Sequence, residues 1–126
     1  MDYQSPLAKV HGLGSAKSGT HHWWLQRITA VALIPLSFWP IVLLDLSFEA
    51  SYQETVTWLA SPLNSICMVF WILSVFYHAV LGLQVVIEDY VSSEKWRIIS
   101  ILGTYLIFFF LMLAAIIAVL RIILAG

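Results

Sequence analysis

Charged residues are scarce in this chain of 126 residues. Asp, Glu, Lys and Arg make up 10% of it, whereas 61% of its residues are hydrophobic. Soluble domains carry about 25% charged residues, so a small domain this apolar cannot cover itself in water. The net charge of −1 gives no support for nucleic-acid binding. The composition therefore predicts a membrane protein without a nucleic-acid partner.

Cysteine is almost absent, and the start of the chain has no apolar run. Cys67 is the single cysteine, so it cannot form an intrachain disulfide. Residues 1–20 are polar and rich in glycine and serine, so we do not expect a signal peptide there. We expect an irregular, water-facing arm over 1–20 and a membrane domain over 21–126.

Three long apolar runs follow the arm. Crossing about 30 Å of hydrocarbon takes about 20 helical residues. We expect an all-α membrane protein whose three transmembrane helices cover about 22–46, 62–88 and 96–124. Pro35 and Pro40 each remove a backbone donor from the first helix, so we expect a kink there.

Basic residues predict the orientation, because they concentrate in cytoplasmic loops. The first connection, residues 45–61, is polar but contains no Lys or Arg. Five of the six basic residues precede the first uncharged apolar run, 28–44, or lie between the second and third runs, 63–87 and 98–120: Lys9, Lys17, Arg27, Lys95 and Arg97. We therefore expect the N-terminus inside, on the cytoplasmic or matrix side, and the C-terminus outside.

The second apolar run carries one face that is not built for lipid. At 100° per residue, Gly82, Val85 and Asp89 all fall within roughly 40° of His78. Nothing polar lies on the opposite face, which carries Phe76, Val80, Leu83 and Ile87.

His78 is the central candidate, since an ionisable residue inside a spanning helix indicates function by default. It precedes Glu88 by ten residues, or about 15 Å at 1.5 Å per residue, near mid-membrane. Its imidazole either bonds a neighbouring helix or ligates iron. Gly82 correspondingly serves close helix packing or leaves room for a flat porphyrin. No second histidine lies at a matching depth, so a bis-histidine haem needs another subunit.

Two further groups of polar residues lie near the interface. Tyr90 could donate a hydrogen bond to a carbonyl, with Asp89 orienting it or passing protons. The alternative is that Tyr90 belongs to the aromatic belt of the membrane interface and that Asp89 simply lies at a helix end. Arg27 and His21 could neutralise a carboxylate-bearing ligand or simply contact headgroups.

These residues form two motifs with a family resemblance. The second run reads His78-Ala-x-x-Gly82-x-x-x-Val86-x-x-Asp89-Tyr90-Val91, and the first opens with Arg27-x-Thr29-Ala30, with His21 six residues before Arg27. Over most of residues 21–91 the chain resembles the D-type hydrophobic membrane anchor subunits of succinate dehydrogenase (succinate:quinone oxidoreductase). The third run matches only in being apolar.

The resemblance implies a role for each matched residue. His78 would be an axial ligand of haem b, with the second ligand from a C-type cytochrome b anchor subunit. Tyr90 and Asp89 would contact the quinone, either ubiquinone or menaquinone. Arg27 and His21 would contact the haem propionates, with His22 as an alternative to His21. No catalytic residue for succinate oxidation is implied in this chain.

The resemblance also implies the surroundings of the chain. It would pack with the C-type subunit into a larger helix bundle in membrane lipid, and hold a flavoprotein and an iron–sulfur subunit. FAD and the iron–sulfur clusters would belong to those two partners. The location implied is the bacterial inner (plasma) membrane, with the mitochondrial inner membrane less favoured.

Three other functions are alternatives, the first within the resemblance and the other two from the residues alone. One is a quinol:fumarate reductase anchor, which differs in direction alone. Another is a non-redox membrane tether or assembly subunit, with His78 a packing residue. A transporter is disfavoured, because there are three helices with one interior ionisable residue and no inverted repeat.

Overall fold

The computed structural model describes the backbone of residues 13–125 and the side chains of residues 20–125. Within this range the chain contains helices and no strand: α1 Leu13–Leu36, α2 Phe38–Glu49, α3 Tyr52–Ala60, α4 Pro62–Tyr90 and α5 Glu94–Ala125. Three stretches are long and apolar enough to cross a membrane: Thr20–Glu49, Pro62–Tyr90 and Glu94–Ala125. The predicted all-α membrane protein with three candidate spans is confirmed.

The helix at the start of the chain is longer than expected. Residues 13–20 form the first turns of α1, where an irregular arm was predicted. Ala16 and Lys17 are good helix formers, and extending a helix that already exists costs far less than nucleating one. The rest of the predicted arm, residues 1–12, lies outside the described residues.

The first span is interrupted near its middle, as its prolines predicted. α1 ends at Leu36 and α2 begins at Phe38. Pro40 has no N–H, so the carbonyl of Leu36 lacks its usual partner four residues on. Ser37 continues the chain of backbone bonds: its N–H donates to Leu33 at 2.9 Å, and its carbonyl accepts from Ile41 at 3.3 Å.

The predicted polar connection between the first two spans is instead largely helical. α2 runs to Glu49, and α3 follows after two residues. Ser51 caps α3 by accepting from the Glu54 N–H at 3.2 Å, while the Glu54 carboxylate accepts from the Ser51 N–H at 3.0 Å. Val56 and Leu59 are buried on its inner side. The capping box starts this helix, and burial of its apolar side stabilises it.

α4 is the central helix and packs against both α1 and α5. Toward α5, the rings of Phe76 and Phe108 meet edge to face, 6.1 Å apart. A buried apolar cluster lies around the first half of α4 and comprises Leu59, Met68, Ile72 and Val119. No charged or polar side chain of the described residues is fully buried.

Three side-chain hydrogen bonds join α4 to the first span. Thr29 bonds His78 at 2.9 Å, Ser37 accepts from Trp71 at 3.2 Å, and Trp39 donates to Asn64 at 2.9 Å. The three α4 partners are spaced seven residues apart, which is about two helical turns. We call these contacts the seam; they confirm that the stripe bearing His78 faces another helix.

The outer surface of the three spans is strongly apolar. Ile34 is 77% exposed and Phe110 is 71% exposed, and most other large apolar side chains of the spans are exposed as well. Such a surface on a protein in water would mark an interaction site. Here it fits lipid and further membrane helices.

Candidate functional site

His78 lies half-buried in the seam between α4 and α1. Its Nδ1 is 2.9 Å from the hydroxyl oxygen of Thr29, across 49 residues of sequence. Among the residues that the structure describes, nothing bonds its Nε2. One ring nitrogen is therefore held by the first span, and the other is open to a group from outside the described chain.

Gln26 and Gly82 lie beside this pair, one helical turn along each helix. A Cβ built on Gly82 would lie 3.6 Å from the Gln26 side-chain nitrogen, which is ordinary contact. The Gln26 side-chain oxygen is buried without a hydrogen-bond partner in the described chain. A buried amide oxygen without a donor costs about 1–3 kcal/mol. The amide thus adds an unmet hydrogen-bonding group to the histidine site.

The residues around His78 would suit a flat iron-bearing ligand better than a bare metal ion. No group of three or more His, Cys, Asp or Glu among the described residues could hold a bare metal ion. His78, whose Nε2 has no partner among the described residues, would supply one nitrogen ligand to such a group. Gly82 presents no side chain one turn away. His78 and Gly82 would therefore suit a haem that is not held by this chain alone.

Asp89 and Tyr90 lie at the end of α4, apart from the histidine. Tyr90 is 84% exposed, and Asp89 is exposed too. Asp89 shares the stripe of His78 but lies eleven residues further on, or about 16 Å along the axis. Neither side chain has a partner within the described residues. A closed pocket around them would need walls from other chains.

Arg27 and the two histidines of α1 are only partly brought together. The Arg27 guanidinium lies over the Trp23 ring, 5.2 Å from its centroid, and both side chains are exposed. His21 is exposed, and its ring centroid is 6.5 Å from that of half-buried His22. At 100° per residue, His21 and Arg27 point about 120° apart.

His22 has a different position from its neighbour. On an ideal helix it lies within about 60° of Gln26 and Thr29, the two residues of α1 that contact the α4 stripe. His21 lies well away from that face. Which of His21 and His22 would contact the haem propionates stays open, but His22 is the one on the side of α1 that faces the seam.

A second polar cluster, which the sequence analysis missed, joins α4 to α5. The Tyr105 hydroxyl donates to the Gln84 side-chain oxygen at 2.7 Å, and the Gln84 amide donates to the Glu88 carboxylate at 3.0 Å. The sequence feature that could have indicated this cluster is that Gln84 and Tyr105 are polar residues within apolar runs. Their pairing depends on how two helices align, and no periodicity within one helix predicts that.

Comparisons with known proteins agree along nearly the whole chain. The family model of succinate dehydrogenase/fumarate reductase transmembrane subunits matches residues 1–122. A succinate dehydrogenase hydrophobic membrane anchor subunit of Rickettsia bellii is 40% identical over 119 residues, covering 94% of each chain. Its counterpart in Rickettsia conorii is 38% identical over 97 residues, covering 76% of this chain and 77% of the relative.

A relative from outside Rickettsia has a similar name. The succinate dehydrogenase membrane anchor subunit of Reclinomonas americana is 38% identical over 90 residues, covering 68% of this chain and 73% of its own length. No solved structure matches the chain.

Proposed function

We propose, from the premise that this chain belongs to the family of succinate dehydrogenase hydrophobic membrane anchor subunits, that its second span co-ligates haem b and that the end of this span contributes to a quinone-reduction site. The chain itself is an anchor, and succinate oxidation takes place in a partner subunit. The chain would lie in a bacterial inner membrane, with its N-terminus inside and its C-terminus outside.

One observation carries the haem proposal. His78 is half-buried inside a span, its Nδ1 is hydrogen-bonded to Thr29, and its Nε2 has no partner in the described chain. Histidines that ligate metals characteristically use one nitrogen for the metal and the other for a hydrogen bond to the protein. A packing histidine in an apolar bundle would be expected to satisfy both nitrogens within the protein.

Haem b would be held from both sides of a subunit boundary. His78 would supply one axial nitrogen, and a histidine of a C-type cytochrome b subunit would supply the other. Gly82 would add no side chain of its own beside the porphyrin, its neighbour in this chain being the Gln26 amide. Arg27 and His21 or His22 would neutralise the propionates. The haem, when bound, supplies one-electron chemistry, and the surrounding protein sets its potential.

Tyr90 and Asp89 would serve the quinone. The phenol of Tyr90 can donate to a quinone carbonyl and stabilise negative charge that grows on that oxygen during reduction. Asp89, one residue away, can deliver a proton directly or through one water. Their exposure agrees with a pocket completed by the iron–sulfur and C-type subunits. Ubiquinone and menaquinone both present such carbonyls.

The apolar exterior supports the anchoring role. The exposed faces of the three spans would contact lipid and the C-type subunit. The start of α1 and the short turn after Tyr90 would face the soluble flavoprotein and iron–sulfur subunits, which carry FAD and the clusters. The relatives from the two Rickettsia species and Reclinomonas are named for succinate dehydrogenase rather than fumarate reductase, which favours succinate oxidation as the direction of the complex.

The test is an optical spectrum of the complex purified from native membranes through this chain. A reduced-minus-oxidised b-type haem signal with co-purifying covalent flavin is expected. Flavin without haem would retain the anchor and make His78 a packing residue. An intact complex with neither would contradict the redox role and favour a non-redox tether.

A further inference from the structure

We infer that Thr29 is a positioning residue for His78: its hydroxyl oxygen accepts the Nδ1 proton, fixes the tautomer and leaves Nε2 as the bare nitrogen. The inference rests on the proposed haem ligation and deepens it. It concerns a residue of the first span, which the sequence alone placed only inside a short motif.

The hydroxyl proton of Thr29 is already committed. Oγ1 lies 2.8 Å from the Leu25 carbonyl and 3.0 Å from the Gln26 carbonyl. The proton points to one of these oxygens or is shared between them. Both are acceptors only, so Thr29 must be the donor in that direction. Its oxygen lone pairs are what remain for His78.

The tautomer of His78 follows from this assignment. With Thr29 accepting, Nδ1 carries the proton, and the neutral ring then has its lone pair on Nε2. The opposite tautomer would turn the Thr29 proton away from both carbonyls. It would also place an N–H at Nε2, where no acceptor lies among the described residues. The hydrogen-bond network thus favours one form.

The contact also fixes where the ring points. It crosses from α4 to α1, so the imidazole is held by a helix other than its own. A hydrogen bond donated by the ring nitrogen that does not bind the metal raises the basicity of the nitrogen that does, and orients the ring. A more basic ligand favours oxidised iron, so loss of this bond should move the haem midpoint potential upward.

Thr29→Val tests the inference in the assembled complex, because valine has a similar shape but no acceptor. Thr29→Ser keeps the hydroxyl and should behave as the natural protein. Thr104→Val is the matched control. Thr104 is a half-buried threonine of the third span that donates to the Ser100 carbonyl at 2.8 Å and has no cross-helix bond.

Three readouts do not depend on turnover: haem content per flavin, midpoint potential, and the g-values of the oxidised haem in electron paramagnetic resonance. For Thr29→Val we expect haem affinity to fall by about tenfold or more, the range usual for residues that orient a metal ligand. The potential should rise and the g-values should shift. Thr29→Ser and Thr104→Val should match the natural protein.

The inference is overturned if Thr29→Val and Thr104→Val agree in all three readouts. If Thr29→Val does not assemble, Thr29→Ala removes the acceptor without the branched side chain and decides in the same way. His78→Ala separates the two levels of the argument. If the haem is unchanged in His78→Ala, the ligand role of His78 is contradicted. If the haem is altered in His78→Ala but unaltered in Thr29→Val, only the positioning role of Thr29 is contradicted.

Discussion

Trp71 donates its indole N–H to the hydroxyl of Ser37, 3.2 Å away, at the residue where the first span is interrupted. The contact ties the break to the central helix. It lies two turns along α4 from His78, so it belongs to the same seam that holds the histidine.

Removing this indole donor should loosen the seam. Trp71→Phe keeps an aromatic ring but leaves Ser37 without its cross-helix partner. We expect a loss of about 1 kcal/mol, as for a typical hydrogen bond, read as a lower thermal midpoint for the purified complex. Trp96→Phe is the control, because Trp96 is 60% exposed at the start of α5. Equal midpoints for both variants would contradict the structural role of the contact.

Tyr90→Phe should impair quinone reduction selectively. The variant loses the phenol donor but not the ring, so assembly and haem content should be unchanged. Electron transfer from succinate to quinone should fall by about tenfold or more, since a donor at a developing oxyanion is worth at least that. Succinate oxidation by an artificial dye that accepts upstream should be normal.

Tyr52→Phe provides the comparison for this experiment. Tyr52 is also highly exposed, at 67%, but begins α3, beyond the opposite end of α4 from Tyr90. Its loss should not change quinone reduction. Undiminished quinone-reductase activity in Tyr90→Phe would remove that residue from the site.

Gly82→Ala separates a haem role from a helix-packing role. Within this chain the new Cβ would lie 3.6 Å from the flexible end of Gln26, so helix packing should tolerate it. We expect a normally assembled complex with reduced haem content. Gly103→Ala is matched, because its Cβ would meet no described atom within 4 Å. A full haem complement in Gly82→Ala would show that haem binding does not depend on the absence of a side chain at this position.

The two adjacent histidines should differ in their effect on haem. His22 is half-buried on the face of α1 that meets α4, while His21 is exposed on another side. We expect His22→Ala to shift the haem midpoint potential more than His21→Ala. Redox titration of both variants measures this directly. A larger shift in His21→Ala would restore the assignment suggested by the family motif.

The spans and the stripe could be predicted because each is a property of one helix. Apolar length predicts a span, and the 100° step places His78 and Gly82 on one face. The interruption near Ser37 was visible through Pro40. The helix α3 has a signal as well, since Ser51 and Glu54 have the spacing of a capping box. The polar composition of the segment instead predicts a simple connection.

Contacts between helices could not be predicted in the same way. The bond between Thr29 and His78 depends on how far α1 slides along α4, and a shift of one turn would replace Thr29 by another residue. The same holds for Tyr105 and Gln84. The sequence identifies these polar side chains as unusual in an apolar setting, and only packing identifies their partners.

The seam also bears on how sequences of this kind can diverge. Lipid is as apolar as leucine, so burying one apolar side chain against another gives membrane helices little net gain. The alignment of the first two spans therefore depends on a few polar contacts placed every second turn. Exposed apolar positions such as Ile34 and Phe110 can exchange among apolar residues over evolutionary time without displacing His78. Drift at Thr29, Ser37 or Asn64 would be selected against.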